Sequence, residues 1–449
     1  MNSEMRDHET LWHITVLSNL ARGYDKYSRV YSKVNIPKSS YPDRFFLLRE
    51  DDLVPGIRKA ASLLERLALP GDRLLALQTR IPAAELRPNT RTGVGCFVER
   101  SGIRLDGVAW VEEDPLGRRL VPVAMVEAAA HSLRLLQPAL QPWSDLQPRS
   151  FSVLPVARGC QAQCPFCFSD ASASAEQGQR KLNFSSVQHF SKAARLKGAE
   201  RFVITGGGEP GLVRHELLCQ LIRAGHATLG KTVLITNGHH LARQSDAGRA
   251  ETLRAYHEAG LSVLAISRHH HEDEISTRLM HLHTSVADIA RTWKEGCHLR
   301  PGIRLRFTCV LQRGGVDTLE AMEAYVEWTI RLGVEEICFK ELYVSTSVES
   351  VYHAHAANEW SSAHQIPLSL VLEFAARHGF SEEVRLPWGS PVFHGTWRGT
   401  PLRIAAYTEP SVFWERTHGV ARSWNLMADG TCLASLEDRS STIELPAAA

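Results

Sequence analysis

Between about Phe151 and Leu342, short β-rich runs alternate with amphipathic runs, and this alternation restricts the fold more than any other feature of the chain. The strand candidates are SFSVLPV, RFVITG, KTVLITN, LSVLAIS, RLRFTCVL and EEICFKEL. Between them lie SSVQHFSKAARLKG, RHELLCQLIRAG, ETLRAYHEAG, TSVADIARTWKEG and LEAMEAYVEWTIRLG, each with apolar residues at helical spacing and most ending in glycine. Repeated βα units pack as a parallel sheet with right-handed crossovers. Six of them predict an α/β fold, a partial (β/α)6 TIM-like barrel. Chemistry in such folds sits at the C-terminal ends of the strands. ARGCQAQCPFC, TGGGEP, TNGHH and ISRHHH all fall there.

The flanks read differently. With 449 residues the chain has room for two or three lobes. The expected division is an N-terminal α+β extension over 1–148, the barrel core over 149–345, and a C-terminal extension over 346–449 that is placed to act as a cavity lid. FFLLREDDLVPGIRKAASLLERLAL and MVEAAAHSLRLL suggest helices, and GVGCFVERSGIRLDGVAWVEED a hairpin turning at Ser-Gly and Asp-Gly. QPALQPWSDLQPRS reads as a linker. Trp388, Trp397, Trp414 and Trp424 suit the core of the tail.

Composition narrows the partners. A net charge of +2 gives no general attraction to nucleic acid or to a membrane surface. The start, MNSEMRDHET, lacks a basic-then-apolar leader, and no apolar run reaches spanning length, so a cytoplasmic protein without membrane partners is expected. Nine cysteines are too few for a disulfide scaffold. Three of them, Cys160, Cys164 and Cys167, stand close together as C-x3-C-x2-C. Thiolates favour zinc or iron–sulfur clusters. A closed zinc site needs a fourth ligand, which here only a histidine could supply. A cubane held by three thiolates leaves one iron open.

Other side chains suggest ligand contacts. In RFVITGGGEP the glycines permit close backbone approach, and Glu209 follows at once. A carboxylate beside bare backbone suits an ammonium group. His269, His270 and His271 follow the fourth strand. In an extended run only His269 and His271 share a side. His269 is the candidate for substrate contact or proton transfer, against a second metal site or a solvated loop. In RLRFTCVL, alternation sets Arg304, Arg306 and Thr308 toward the barrel interior. Arg306 there suits a substrate carboxylate or phosphate. Of Lys340 and Glu341, only one can line the cavity.

The cysteine motif after a first strand and GGGEP after a second resemble the radical S-adenosylmethionine (SAM) superfamily, over roughly residues 151–345. The resemblance implies a 4Fe-4S cluster on Cys160, Cys164 and Cys167, with SAM chelating the open iron. It implies that Phe166 packs near adenine and that Gly206, Gly207, Gly208 and Glu209 receive the methionyl amine. Ser267 and Arg268 would meet the ribose and the carboxylate, and Asn237 would face the same cavity. One electron from the cluster would then cleave SAM to a 5′-deoxyadenosyl radical, which abstracts hydrogen from a substrate. A flavodoxin- or ferredoxin-like electron donor is implied, with a small-molecule natural product or a peptide as substrate. Cys432 is the candidate thiol for returning hydrogen to a substrate radical, against ordinary burial. The lack of further clustered cysteines argues against auxiliary clusters. Two other readings stay open: a radical SAM enzyme acting on a nucleotide or RNA, and a non-enzymatic zinc or iron–sulfur protein.

Overall fold

The structure, a computed structural model, describes residues 141–168, 182–296, 302–345, 350–352, 355–410 and 412–445, and before them the strand segments alone. The chain divides into two compact units, Met1–Leu140 and Gln141–Ala449.

The first unit contains β1 (His8–Leu17), β2 (Phe45–Arg49), β3 (Arg73–Pro82), β4 (Leu86–Pro88), β5 (Cys96–Val98) and β6 (Trp110–Glu113). They form one antiparallel sheet in the order β4-β5-β2-β1-β3-β6. Two expectations are corrected here. Phe45–Arg49 is a strand and not the start of a helix, its aromatic and branched run FFLLR pairing with the long β1. β5 and β6 do not form a hairpin with each other: β5 pairs with β2 and β4, whereas β6 pairs with β3. The expected helix MVEAAAHSLRLL lies outside the described residues.

The second unit opens with β7 (Gln147–Pro148) and β8 (Phe151–Val153). Then α1 (Phe184–Leu196), β9 (Phe202–Ile204), α2 (His215–Leu229), β10 (Thr232–Thr236), α3 (His239–Ala242) and α4 (Asp246–Glu258) follow. After them come β11 (Val263–Ser267), α5 (Asp273–Met280), α6 (Val286–Glu295), β12 (Arg304–Leu311), α7 (Leu319–Arg331) and β13 (Glu336–Glu341). Strands β8 to β13 are parallel and adjacent in chain order, as in a partial βα barrel. Positive-φ glycines Gly198, Gly230, Gly260 and Gly333 stop α1, α2, α4 and α7. The expected stop at Gly225 is not one. The helix runs on to Leu229, and Gly225 lets it approach the sheet: a Cβ there would lie 2.6 Å from the Phe202 ring.

The C-terminal residues extend the same sheet. They form α8 (Ala356–His364), α9 (Ser369–Arg377), β14 (Ser381–Arg385), β15 (Pro391–Trp397), β16 (Thr400–Tyr407), α10 (Val412–His418), β17 (Val420–Ala421), β18 (Trp424–Leu426) and β19 (Cys432–Leu433). β16 adds in parallel beyond β13, and β18 adds in parallel beyond β8. The stretch read as a linker is tied down too: Trp143 is buried, its indole donating to Asp438 (2.8 Å), and β7 pairs with β17.

Alternation divides the sheet into two faces. Leu305, Phe307, Cys309 and Leu311 of β12 are buried in the apolar layer under the helices, where Phe307 stacks on Trp328. Trp397 and Trp424 belong to that layer, and Trp388 is buried with its indole donating to the Thr408 carbonyl. The opposite face carries Val203, Val233, Val263 and Ala265 in a small inner cluster. Polar side chains join it at the N-terminal ends and on the β12–β13–β16 side.

Candidate functional site

The cysteine loop follows β8 directly. Cys160 is exposed, Cys164 and Cys167 are half-buried, and none is in a disulfide. The loop folds on itself through Cys167 N–H to the Cys164 carbonyl (3.1 Å) and Ala162 N–H to Cys160 Sγ (3.4 Å). Burial and then the nearby thiols of Cys167 and Cys160 push the Cys164 thiol well above its ordinary range. A bound cation would relieve that penalty, because it favours the thiolate. Among the described residues these sulfurs are not a set lying within 4.8 Å of one another. A zinc tetrahedron with Zn–S near 2.3 Å would bring them to about 3.8 Å. Among the described residues no other cysteine belongs to this loop.

The glycine loop after β9 docks on the cysteine loop. Gly208 N–H donates to the Val156 carbonyl (3.1 Å), and Glu209 N–H to that of Gly159 (2.9 Å). A Cβ on Gly208 would lie 2.1 Å from the Gly159 oxygen, and one on Gly206 would run into the Gly208 carbonyl. The glycines are therefore needed for loop to meet loop, with Gly207 between them.

Glu209 does not present a free carboxylate to an ammonium group. It is 4 % exposed, and its oxygens accept from Gly211 N–H (2.8 Å), Asn237 N–H (2.8 Å) and the Thr236 hydroxyl. Burial raises its pKa, and these three bonds oppose the rise. Its role is to tie the end of β9 to the end of β10. Asn237, in the next loop, reaches the cysteines themselves. Its amide donates to Cys160 Sγ (3.5 Å) and to Gln161 Oε1 (3.2 Å), while its own oxygen accepts from His239 N–H (2.9 Å).

Beyond β11 the histidines part company. His269 is buried, its Nδ1 accepts from Val310 N–H (3.1 Å), and its ring meets Phe166 edge-on at 5.2 Å. Burial, reinforced by Arg268, lowers its pKa to about 3, so it is a neutral wall of the site. The expected sharing of a side by His269 and His271 is corrected: the chain bends, and the rings of His270 and His271 stack at 4.3 Å. With Glu272 they bring ligand atoms within 4.8 Å of one another, although His270 Nδ1 already accepts from Glu272 N–H.

Several expected contacts lie elsewhere. Arg268 is directed away from the cysteine loop. Its guanidinium donates to the His270 and His271 carbonyls (2.6 and 3.0 Å) and to Asp273 (2.6 Å), and it covers the Trp328 ring in the helix layer. Ser267 ends β11 half-buried, opposite Thr308. Arg306 lies near the start of β12, ion-paired with Glu336 (Nε–Oε1 2.8 Å) and removed from the C-terminal strand ends. Cys432 is buried with Leu426 in the helix-side layer, because alternation in the short β19 turns it outward. Its place in that layer keeps it from facing the site, and burial raises its thiol pKa.

Other residues were not anticipated. Trp360 of α8 packs on Phe166 at 5.7 Å and stacks on His364 at 3.9 Å, so the C-terminal extension contributes to the wall over the cysteine loop. Its aromatic character was visible in NEWSSAH, but nothing local announced its long-range partner. The expected choice between Lys340 and Glu341, by contrast, falls to Lys340, which occupies the inner face of β13 with Cys338, while Ile337 and Phe339 lie on the helix side. That alternation was readable in EEICFKEL.

Residues 154–298 match the family model described as Radical SAM superfamily. No curated protein matches the chain. Among solved structures, SuiB of Streptococcus suis aligns at 15% identity and a TM-score of 0.39, over 64% of this chain and 60% of that one. SuiB bound to its precursor peptide SuiA aligns at 15% and 0.41, over 71% and 65%. A radical SAM methyltransferase from Sphaerobacter thermophilus aligns at 14% and 0.38, over 84% and 85%. The chain thus spans 60% to 65% of the length of the SuiB chains.

Proposed function

We propose that this chain, whose residues 154–298 form a radical SAM domain, is an enzyme that abstracts hydrogen from an organic substrate, a natural product or peptide. The observation that carries the reading is the junction of the cysteine loop with the glycine loop. It sits at the C-terminal strand ends, where three thiols share one loop. Cys160, Cys164 and Cys167 would hold a 4Fe-4S cluster. When bound, that cluster supplies the electron that cleaves SAM to a 5′-deoxyadenosyl radical.

The protein's own part is positioning and shielding. Gly206 and Gly208 bring bare backbone against the cysteine loop, so a ligand's ammonium group can approach carbonyl oxygens there. Glu209 locks the loops after β9 and β10 at a fixed separation. Asn237 donates to the Cys160 sulfur and draws electron density from that ligand. Phe166, held between His269 and Trp360, gives an apolar wall for the adenine. A flavodoxin- or ferredoxin-like protein would deliver the electron across the exposed side of Cys160.

Anaerobic reaction with SAM and dithionite tests this reading. 5′-Deoxyadenosine should form, and Cys160→Ala, Cys164→Ala or Cys167→Ala should abolish it. Formation at an equal rate in the triple variant would overturn it.

A further inference from the structure

The inner face of the barrel carries more positive charge than its own carboxylates neutralise. Phe202 and Ile204 of β9 lie in the helix-side layer and Val203 in the inner cluster, so Arg201 shares the inner side. By the same alternation Arg306 of β12, Lys340 of β13 and Tyr407 of β16 point inward. Arg422, two residues before β18, reaches Glu409, two residues past β16. The carboxylates on this side are already engaged. Glu336 takes Arg306 (Nε–Oε1 2.8 Å) and Arg304 (3.5 Å). Glu409 takes Lys340 (2.5 Å), Arg422 and the Tyr407 hydroxyl (3.1 Å).

The Arg201 guanidinium has no hydrogen-bond or ion-pair partner among the described residues; only the backbone carbonyl of Arg201 is engaged, by Phe151 N–H. Its charged and titratable surroundings are the Tyr407 hydroxyl, Arg306, Arg149 and Glu200, and Glu200 is paired with Arg149 at 2.7 Å. The Lys231 ammonium, just before β10, likewise has no ion-pair partner among the described residues, and it feels Arg201, Arg304 and Arg306 with Glu336 opposing them. Leaving aside the more exposed Arg304 and Lys231, the lumen holds the cations Arg201, Arg306, Lys340 and Arg422 against the carboxylates Glu336, Glu409 and Glu415, the last buried beside Arg422 and Tyr407 with its pKa raised by that burial. A half-buried excess of positive charge is costly unless a ligand supplies the missing anion.

We infer that the barrel lumen binds an anionic group, a phosphate or a carboxylate, on Arg201, Arg306, Lys340 and Arg422. Planar guanidinium groups match either anion in bidentate fashion, and the lysine adds a point charge. Proton affinities agree with a site short of an anion. Burial and neighbouring cations hold Arg201 and Lys231 below their ordinary ranges, and burial followed by Arg422 brings Lys340 down to about 8. The assignment of this anion to the substrate rests on the enzymatic reading above; the anion site itself does not.

Isothermal titration calorimetry on the full chain at low ionic strength, with inorganic phosphate and separately with succinate, tests the inference. At least one anion should bind, with an affinity that falls as sodium chloride is added. Arg201→Gln and Lys340→Met should each weaken it about tenfold or more, while Arg201→Lys should retain part of it. Phosphate binding alone assigns a phosphoryl group to the substrate, and succinate binding alone assigns a carboxylate. Absence of binding of both anions to the wild type overturns the inference, as does wild-type affinity in both Arg201→Gln and Lys340→Met. Thermal unfolding guards against misfolded variants: Arg201→Gln should unfold no lower than the anion-free wild type, because a like charge has been removed. Electron paramagnetic resonance on the same preparation reads the cluster independently. A normal cluster signal without anion binding sinks only this inference, and anion binding without a cluster signal sinks only the enzymatic one.

Discussion

At the scale of single residues, the proposed reading gives the side chains beside the cysteines a tuning part. Asn237 is the clearest case, since its amide donates to Cys160 Sγ. Hydrogen bonds to cluster sulfurs favour the reduced state. Asn237→Ala should therefore lower the cluster's midpoint potential while iron content stays near that of the wild type. A redox titration followed by electron paramagnetic resonance measures this; an unchanged potential would remove Asn237 from the account. His269 makes a second prediction. Its native pKa is lowered to about 3, against an ordinary 6.5, so between those values the unfolded chain binds the proton and the native chain does not. Its contribution to stability is complete above pH 6.5 and is lost as pH falls toward 3, by up to about 1.4 kcal/mol per pH unit. Denaturant unfolding at a series of pH values should show a shallower acid slope in His269→Gln than in wild type. That the cysteine loop, Asn237 and His269 stand beyond the C-terminal ends of strands was readable from the strand order, although His269 was expected to contact substrate or transfer a proton. The true task of Glu209 was not readable, because two of its three donors, Thr236 and Asn237, come from the end of β10, whose approach depends on the assembled barrel. Arg268 misled for a related reason: a guanidinium at a strand end can turn either way, and Trp328 and Asp273 decided the direction.

At the scale of elements, strand alternation and helix-stopping glycines made the barrel readable. β12 follows RLRFTCVL residue for residue, and its apolar half packs under α7. Phe307→Ala should cost about 3–5 kcal/mol, checked by denaturant unfolding, because it empties a fully buried ring site. Gly208→Ala concerns loop geometry instead. The added Cβ meets the Gly159 carbonyl at 2.1 Å, so the glycine loop must lift off the cysteine loop. The variant should stay folded but incorporate less iron and bind SAM about tenfold more weakly; wild-type affinity would show that this docking is unnecessary. The hairpin expected in GVGCFVERSGIRLDGVAWVEED failed because turn residues mark reversals without naming partners. β5 and β6 each found other neighbours in the sheet.

At the scale of the whole molecule, the C-terminal extension after Ser345 is part of the sheet. β16 and β18 cover the two edges that β13 and β8 would otherwise expose, and Trp360 closes over Phe166. A chain ending at Ser345 should aggregate, as bared parallel edges do, and size-exclusion chromatography would show it. This arrangement was hidden in the sequence because the added strands pair with partners more than 60 residues earlier in the chain. No described helix is long and apolar enough to cross a membrane. The arrangement gives one loop at the strand ends three thiols, a docked glycine loop and an aromatic wall, all consistent with a cluster that takes SAM. Electron paramagnetic resonance of the reconstituted, dithionite-reduced chain, with and without SAM, tests that most directly. A cubane signal that changes shape on adding SAM is the predicted result. A missing signal, or one that SAM leaves unchanged, contradicts the account.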